Sequence, residues 1–220
     1  MNLKKSENII ILGVFLAVTA LIAAALLGYF ADLTKKPIAD AQIAATNASL
    51  RAVLPAFDST EIVEVDGVKY YGAFDKNNQL IGVAGEASTA GYAGAVTAIV
   101  GMKLEGVINA VIITKQTETP GLGTNVCERK FTKTLASIIK GEKQTATLAP
   151  NKVLDYYTGK KCENGKSFHV SKDGGTAPYI TGATVSSRAV AKVISEINLN
   201  FNKNNSIIVE KLNAFKKEAK

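Results

Sequence analysis

The chain has few of the residues from which metal centres and hydrolytic sites are built. Its 220 residues include two cysteines and one histidine. No CxxC or Cys/His ligand spacing occurs, so there is no ligand set for a structural zinc site. His169 has no evident triad partner and reads as a loop histidine rather than a general base. No GxxxxGK[ST] phosphate loop is present, and no GxSxG elbow surrounds Ser186 or Ser187. Gly121-x-Gly123 is not a dinucleotide fingerprint, because Val126 stands where the third glycine belongs. The net charge of +7 comes from scattered lysines without interleaved aromatics, which is a solvated face and not a nucleic-acid footprint. Cys127 and Cys162 allow either a disulfide in an oxidising compartment or two free thiols, and their spacing decides neither. Internal repeats and low-complexity segments are also absent.

What the chain does have is one long uncharged run, IIILGVFLAVTALIAAALLGYF, from Ile9 to Phe30. At about 1.5 Å of rise per residue a helix of this length spans roughly 33 Å, which suits a bilayer core of about 30 Å. A cleaved signal peptide is the competing reading, but its apolar region runs to only about 7–15 residues. Lys4 and Lys5 precede the run and Lys35 and Lys36 follow it. A short first tail usually stays in the cytoplasm, so the expected order is a cytoplasmic tail (1–8), a transmembrane helix (9–30) and an extracytoplasmic remainder.

Beyond the run, alanine-rich sequence with Pro37 to start it and Pro55 to stop it predicts a connecting helix within 31–56. The segments EIVEV and VKYYGAF flank Asp66-Gly67, a hairpin signal, and QLIGVAGEA follows a polar turn. AVTAIVGMK and GVINAVIITK lack clean alternation and are expected as central strands covered on both faces. Thr124 to Ile139 is helix-compatible, and a polar, glycine-rich loop is expected through Lys172. From Thr184, the positions Val185, Ala189, Val193, Ile194 and Ile197 recur at helical spacing, and 205–220 reads as a short amphipathic helix. The fold class is thus α+β: one membrane helix and a single domain (57–204) with a mostly antiparallel sheet and packed helices.

The stretch YITGATVSSRAV, Tyr179 to Val190, sets small residues at a helix start. There the first N–H groups lack intrahelical acceptors and the peptide dipoles concentrate positive charge, which favours an anion. Gly182 would let a phosphate approach the backbone, Ser186 and Ser187 can donate hydrogen bonds, and Arg188 would add compensating charge. An ordinary Thr/Ser helix cap accounts for the same residues.

Three elements, GYAG (Gly91 to Gly94), ETPGLG (Glu118 to Gly123) and TGATVSSRAV (Thr181 to Val190), resemble in order and spacing the FMN-binding domain of the G subunit of Rnf electron-transport complexes. The resemblance extends over nearly the whole chain. It implies FMN bound covalently through a phosphoester to Thr184, with Thr181, Gly182, Ala183, Val185, Ser186 and Ser187 around the phosphate. It also implies that Glu118, Thr119, Gly121 and Leu122 lie beside the isoalloxazine ring. Tyr92 is a further candidate that reads equally well as a packing residue, and ETPGLG alone would pass for a strand-to-helix connector. The family's attachment bond is made by a flavin transferase from FAD and Mg²⁺, and its preferred pattern has an aspartate where this chain has Pro178; the nearest aspartate is Asp173.

The resemblance further implies a single-pass subunit of a ferredoxin:NAD⁺ oxidoreductase that translocates ions, with other membrane subunits as partners and no side chain acting as acid or base. The C subunit of the sodium-translocating NADH:quinone oxidoreductase shares the flavin motif but generally has a larger extracytoplasmic domain. A flavin-free anchored scaffold, with Thr184 only a cap, and an anchored hydrolase using Ser186 or Ser187 are the remaining alternatives.

Overall fold

A computed structural model of the chain describes residues 9–129, 148–163 and 165–218. Two compact units emerge, 1–45 and 46–220. The first is helical throughout its described part. Helix α1 (Ile9–Val53) runs on through Pro37, which therefore lies inside a helix instead of starting one. Its apolar residues, among them Leu12, Phe15, Leu16, Leu21 and Leu27, are exposed, and the helix is long and apolar enough to cross a membrane. The helix ends two residues before Pro55, whose ring disfavours helical geometry in the residue ahead of it.

The second unit is an α+β domain. Five strands, β1 (Ser59–Val65), β2 (Val68–Phe74), β3 (Leu80–Ala90), β4 (Ala95–Met102) and β5 (Ile108–Lys115), form one antiparallel sheet in sequence order. Asp66 and Gly67, both at positive φ, close the β1–β2 hairpin as their residue types anticipate. Strand alternation divides the buried residues between two faces. Tyr70, Val83 and Val100 face one core with Ile194, Ile197, Phe201, Ile208 and Leu212. Tyr71, Ala84 and Ile99 face another with Leu50, Val53 and Leu54. Both faces are covered, which is why the apolar runs of β4 and β5 lack alternation.

Centrality does not follow, however: among the described residues β5 is an edge strand. Its outer side is closed by other groups. The Ile108 N–H donates to the Lys160 carbonyl, the Gly159 N–H donates to the Ile108 carbonyl, and Arg129 Nε donates to the Val111 carbonyl.

Helix α2 (Gly123–Cys127) is shorter than expected, because Glu128 is already extended. The rest of the expected helix, from residue 130, lies outside the described residues. A helical turn absent from the sequence reading, α3 (Lys152–Asp155), is capped by Asn151. Helix α4 (Thr184–Glu218) bends at Asn204, whose backbone is non-helical. Its second half docks on the domain through Ile208 and Leu212, both fully buried.

Candidate functional site

At the start of α4 the chain turns through Gly182 at φ +85°, a conformation that costs any residue with a Cβ roughly 1–2 kcal/mol. The Ala183 N–H bonds back to the Ile180 carbonyl, and the Ala183 carbonyl accepts the first helical bond, from Ser187 N. The amides of Thr184, Val185 and Ser186 therefore lie in the helix's first turn, where no intrahelical acceptor exists.

These amides border a cavity of about 520 Å³, lined by Tyr92, Glu118, Thr119, Leu122, Gly123, Lys172, Gly182, Ala183, Thr184, Val185 and Ser186. All three sequence motifs contribute walls. Tyr92, Leu122 and Val185 leave 71%, 44% and 45% of their surface exposed, so the rim offers apolar area that the domain itself does not cover. Thr184 is half-buried.

Glu118 joins the walls. It is 4% exposed, and its Oε1 accepts from the Tyr92 N–H at 2.8 Å and the Ala93 N–H at 3.4 Å. Oε2 accepts from the Ser186 hydroxyl at 2.5 Å. One carboxylate thus links the GYAG turn to the first turn of α4. The fit is close, since a Cβ on Gly123 would lie 2.7 Å from both Glu118 Cβ and Oε2. Engaged in this way, Glu118 is a strut whose carboxylate lies beside the cavity.

Three expected site residues do not line the cavity. Thr181 is exposed outside it. Gly121 turns the ETPGLG loop at φ +77° and donates its N–H to Thr124 Oγ1. Ser187 is completely buried, donating to the Ala183 carbonyl and accepting from the Ile180 N–H; it shapes the turn and offers nothing to a ligand.

The expected charge of Arg188 is also used elsewhere. Its Nε and Nη2 donate to the Asp173 carboxylate at 2.7 and 2.6 Å. That hydrogen bonding holds the Asp173 carboxyl below its ordinary value. The cation that does line the cavity is Lys172, which no periodicity or motif singled out.

His169 is not placed beside either serine. Ser186 donates to a carboxylate and Ser187 to a carbonyl, while His169 lines a different cavity, with Asp173 and Arg188. Cys127 and Cys162 are free and buried. Burial, with Glu118 and Glu128 adding to it, pushes the Cys127 thiol up to about 12, and burial raises Cys162 to about 11, so both stay protonated at neutral pH.

Comparison with known proteins finds relatives that share these features. The FMN-binding domain model matches residues 91–197, a span that includes all three motifs and the cavity. The G subunit of an ion-translocating oxidoreductase complex from Vibrio atlanticus is 29% identical over 90% of this chain and 92% of its own length. The G subunit of a proton-translocating ferredoxin:NAD(+) oxidoreductase complex from Clostridium ljungdahlii is 26% identical over 82% of this chain and 85% of its own. The G subunit of an ion-translocating oxidoreductase complex from Salmonella typhi is 32% identical over a shorter region, 50% of this chain and 44% of that protein. Residues 91–197 thus match the FMN-binding domain family, and the relatives that the chain resembles over most of their length are G subunits of ion-translocating oxidoreductase complexes.

Proposed function

We propose that the chain is a membrane-anchored flavoprotein that passes electrons through FMN held by a phosphoester on Thr184, as a subunit of an ion-translocating ferredoxin:NAD⁺ oxidoreductase complex. The observation that carries this reading is the convergence of Thr184, three first-turn amides and an exposed apolar rim in one cavity inside the FMN-binding domain match. Its volume of about 520 Å³ falls within the range of roughly 300–1,000 Å³ usual for cofactor sites. FMN, when bound, supplies the redox chemistry, and the protein supplies attachment, position and electrostatics.

Each wall has a part in that division. The amides of Thr184, Val185 and Ser186, at the positive end of α4, favour the single negative charge that a phosphodiester keeps. Tyr92, Leu122 and Val185 provide apolar surface for the ring, and Glu118 holds the walls in register. Thr184 Oγ1 would lose its proton and take the FMN phosphoryl group from FAD, with the pyrophosphate bond breaking and AMP as the leaving group, in a reaction run by a flavin transferase with Mg²⁺. A threonine hydroxyl is too weak a nucleophile to do this unaided.

The apolar first half of α1 supports a single-pass anchor, and Lys4 and Lys5 ahead of it favour a domain outside the cytoplasm. Relatives named as G subunits that align over most of their own length favour this complex over a sodium-translocating NADH:quinone oxidoreductase.

The test is the intact mass of the full chain made with and without flavin transferase. Wild type should gain one FMN less one water and fluoresce in a denaturing gel. Thr184→Ala should do neither while keeping the wild-type circular dichroism. Flavin found instead on a peptide bearing Ser186 or Ser187 would defeat the assignment.

A further inference from the structure

The cavity's charges point to a residue that the sequence motifs do not contain. Among the described residues two charged side chains line it, Glu118 and Lys172. Glu118 is committed to Tyr92, Ala93 and Ser186. Lys172 forms no ion pair among the described residues and is exposed at the cavity wall. Its ammonium lies 6.0 Å from the centre of the Tyr179 ring, a contact that leaves its hydrogen-bond donors open.

Its backbone is not loosely held. Ser171 N–H donates to the Ala177 carbonyl, Asp173 N–H to the Val170 carbonyl and Ala177 N–H to the His169 carbonyl. The next residue, Asp173, is fastened to Arg188 by two hydrogen bonds. Arg188 lies four residues after Thr184 on α4, and side chains four apart share a helix face. The clamp therefore holds the Lys172 turn against the face of α4 that presents Thr184, while Tyr92 and Leu122 come from the other two motifs.

From this arrangement we infer that Lys172 is the cationic arm of the FMN phosphate site, with Arg188 and Asp173 as the positioning pair that sets it there. The inference rests on the flavin reading above and adds to it the group that neutralises the phosphate. Arg188, the arginine nearest in sequence, cannot serve as a free cation because its guanidinium faces the Asp173 carboxylate. A lysine suits this position, being a compact charge on a flexible stem that follows an anion without demanding fork geometry.

The experiment uses the full apo chain in detergent, made without flavin transferase, titrated with FMN and separately with riboflavin, which has the same ring and no phosphate. Binding is read from flavin fluorescence. Lys172→Gln should weaken FMN by roughly fivefold, the size of one partly exposed charge pair, and leave riboflavin unchanged. Lys172→Arg should restore FMN binding. Raising the ionic strength from about 0.01 to about 1 M should erase the difference between wild type and Lys172→Gln. Equal weakening of both flavins would mean that Lys172 supports the ring or the fold, and an unchanged FMN affinity would mean that it has no part; either result overturns the inference alone. A wild-type chain that binds neither flavin would overturn the inference alone, since the flavin reading stands or falls on the intact-mass test with flavin transferase.

Discussion

Glu118 sits where a charged side chain is costly unless paired, and it is paired three times. This arrangement separates its shape from its charge. In Glu118→Gln the remaining oxygen can still accept from the Tyr92 amide and the new amide can donate to Ser186, so the strut survives while one negative charge beside the cavity disappears. A flavin that takes up negative charge on reduction should then be easier to reduce, and its midpoint potential should rise by tens of millivolts, where tenfold in a one-electron equilibrium is about 59 mV. Spectroelectrochemical titration of the covalently loaded chain checks this, and an unchanged potential together with lost flavin would reverse the role. Sequence reading found Glu118, Tyr92 and Thr184 because each stands in a motif. It gave Arg188 the part inferred for Lys172 because helical spacing places Arg188 beside Thr184, and nothing in that spacing shows that a carboxylate fifteen residues upstream occupies the guanidinium. The path of an aperiodic loop decides which of its side chains meet a cavity.

At the scale of elements, Asn151 does the most with one side chain. Its Oδ1 caps α3 by accepting from the Val153 and Leu154 amides, and its Nδ2 donates to the carbonyls of Asn125, Val126 and Glu128 at the end of α2. The carbonyls that further helical turns would have satisfied are gathered by this amide, which is how α2 can stop at Cys127. Asn151→Ala should cost about 2–4 kcal/mol, since it removes a cap and strands buried carbonyls together. The melting temperature should drop by roughly 10 °C, and a drop within about 2 °C would show that water replaces the amide. The strands were legible because turn residues and apolar runs mark them, whereas the helical turn at Lys152–Asp155 went unread, although the residue ahead of it, Asn151, is of a capping type. The edge position of β5 was not legible: an apolar run reports covered faces, and the groups that close this edge, Arg129 and the 159–160 turn, lie far along the chain.

For the whole molecule, the sided question is which compartment holds the domain. The uncharged half of α1 and the two lysines ahead of it lead to a specific expectation, that a tag placed after Lys220 in intact cells is labelled by a membrane-impermeant reagent. Labelling only after the cytoplasmic membrane is opened would invert the topology and remove the site of extracytoplasmic flavin attachment. Hydropathy alone made a helix long and apolar enough to cross a membrane legible, but the continuity of α1 through Pro37 was not. A proline reads locally as a start, yet in an alanine-rich run the surrounding helix carries on past the one amide it lacks.

The Glu118 strut has a consequence in time as well as in space. The segments it joins, Gly91–Gly94, Glu118–Gly123 and Thr181–Ser187, are separated by long stretches of chain, and contacts of such separation form late because loop closure must precede them. The cavity is therefore a property of the finished fold: a nascent or half-folded chain has the threonine but not the walls. On the proposed function FMN would be a ligand of the native state alone, and free flavin at about a hundred times its dissociation constant would deepen that state by roughly 2.7 kcal/mol. Before the proposed bond to Thr184 is made, the cofactor would already work as a selector for chains whose last helix has docked.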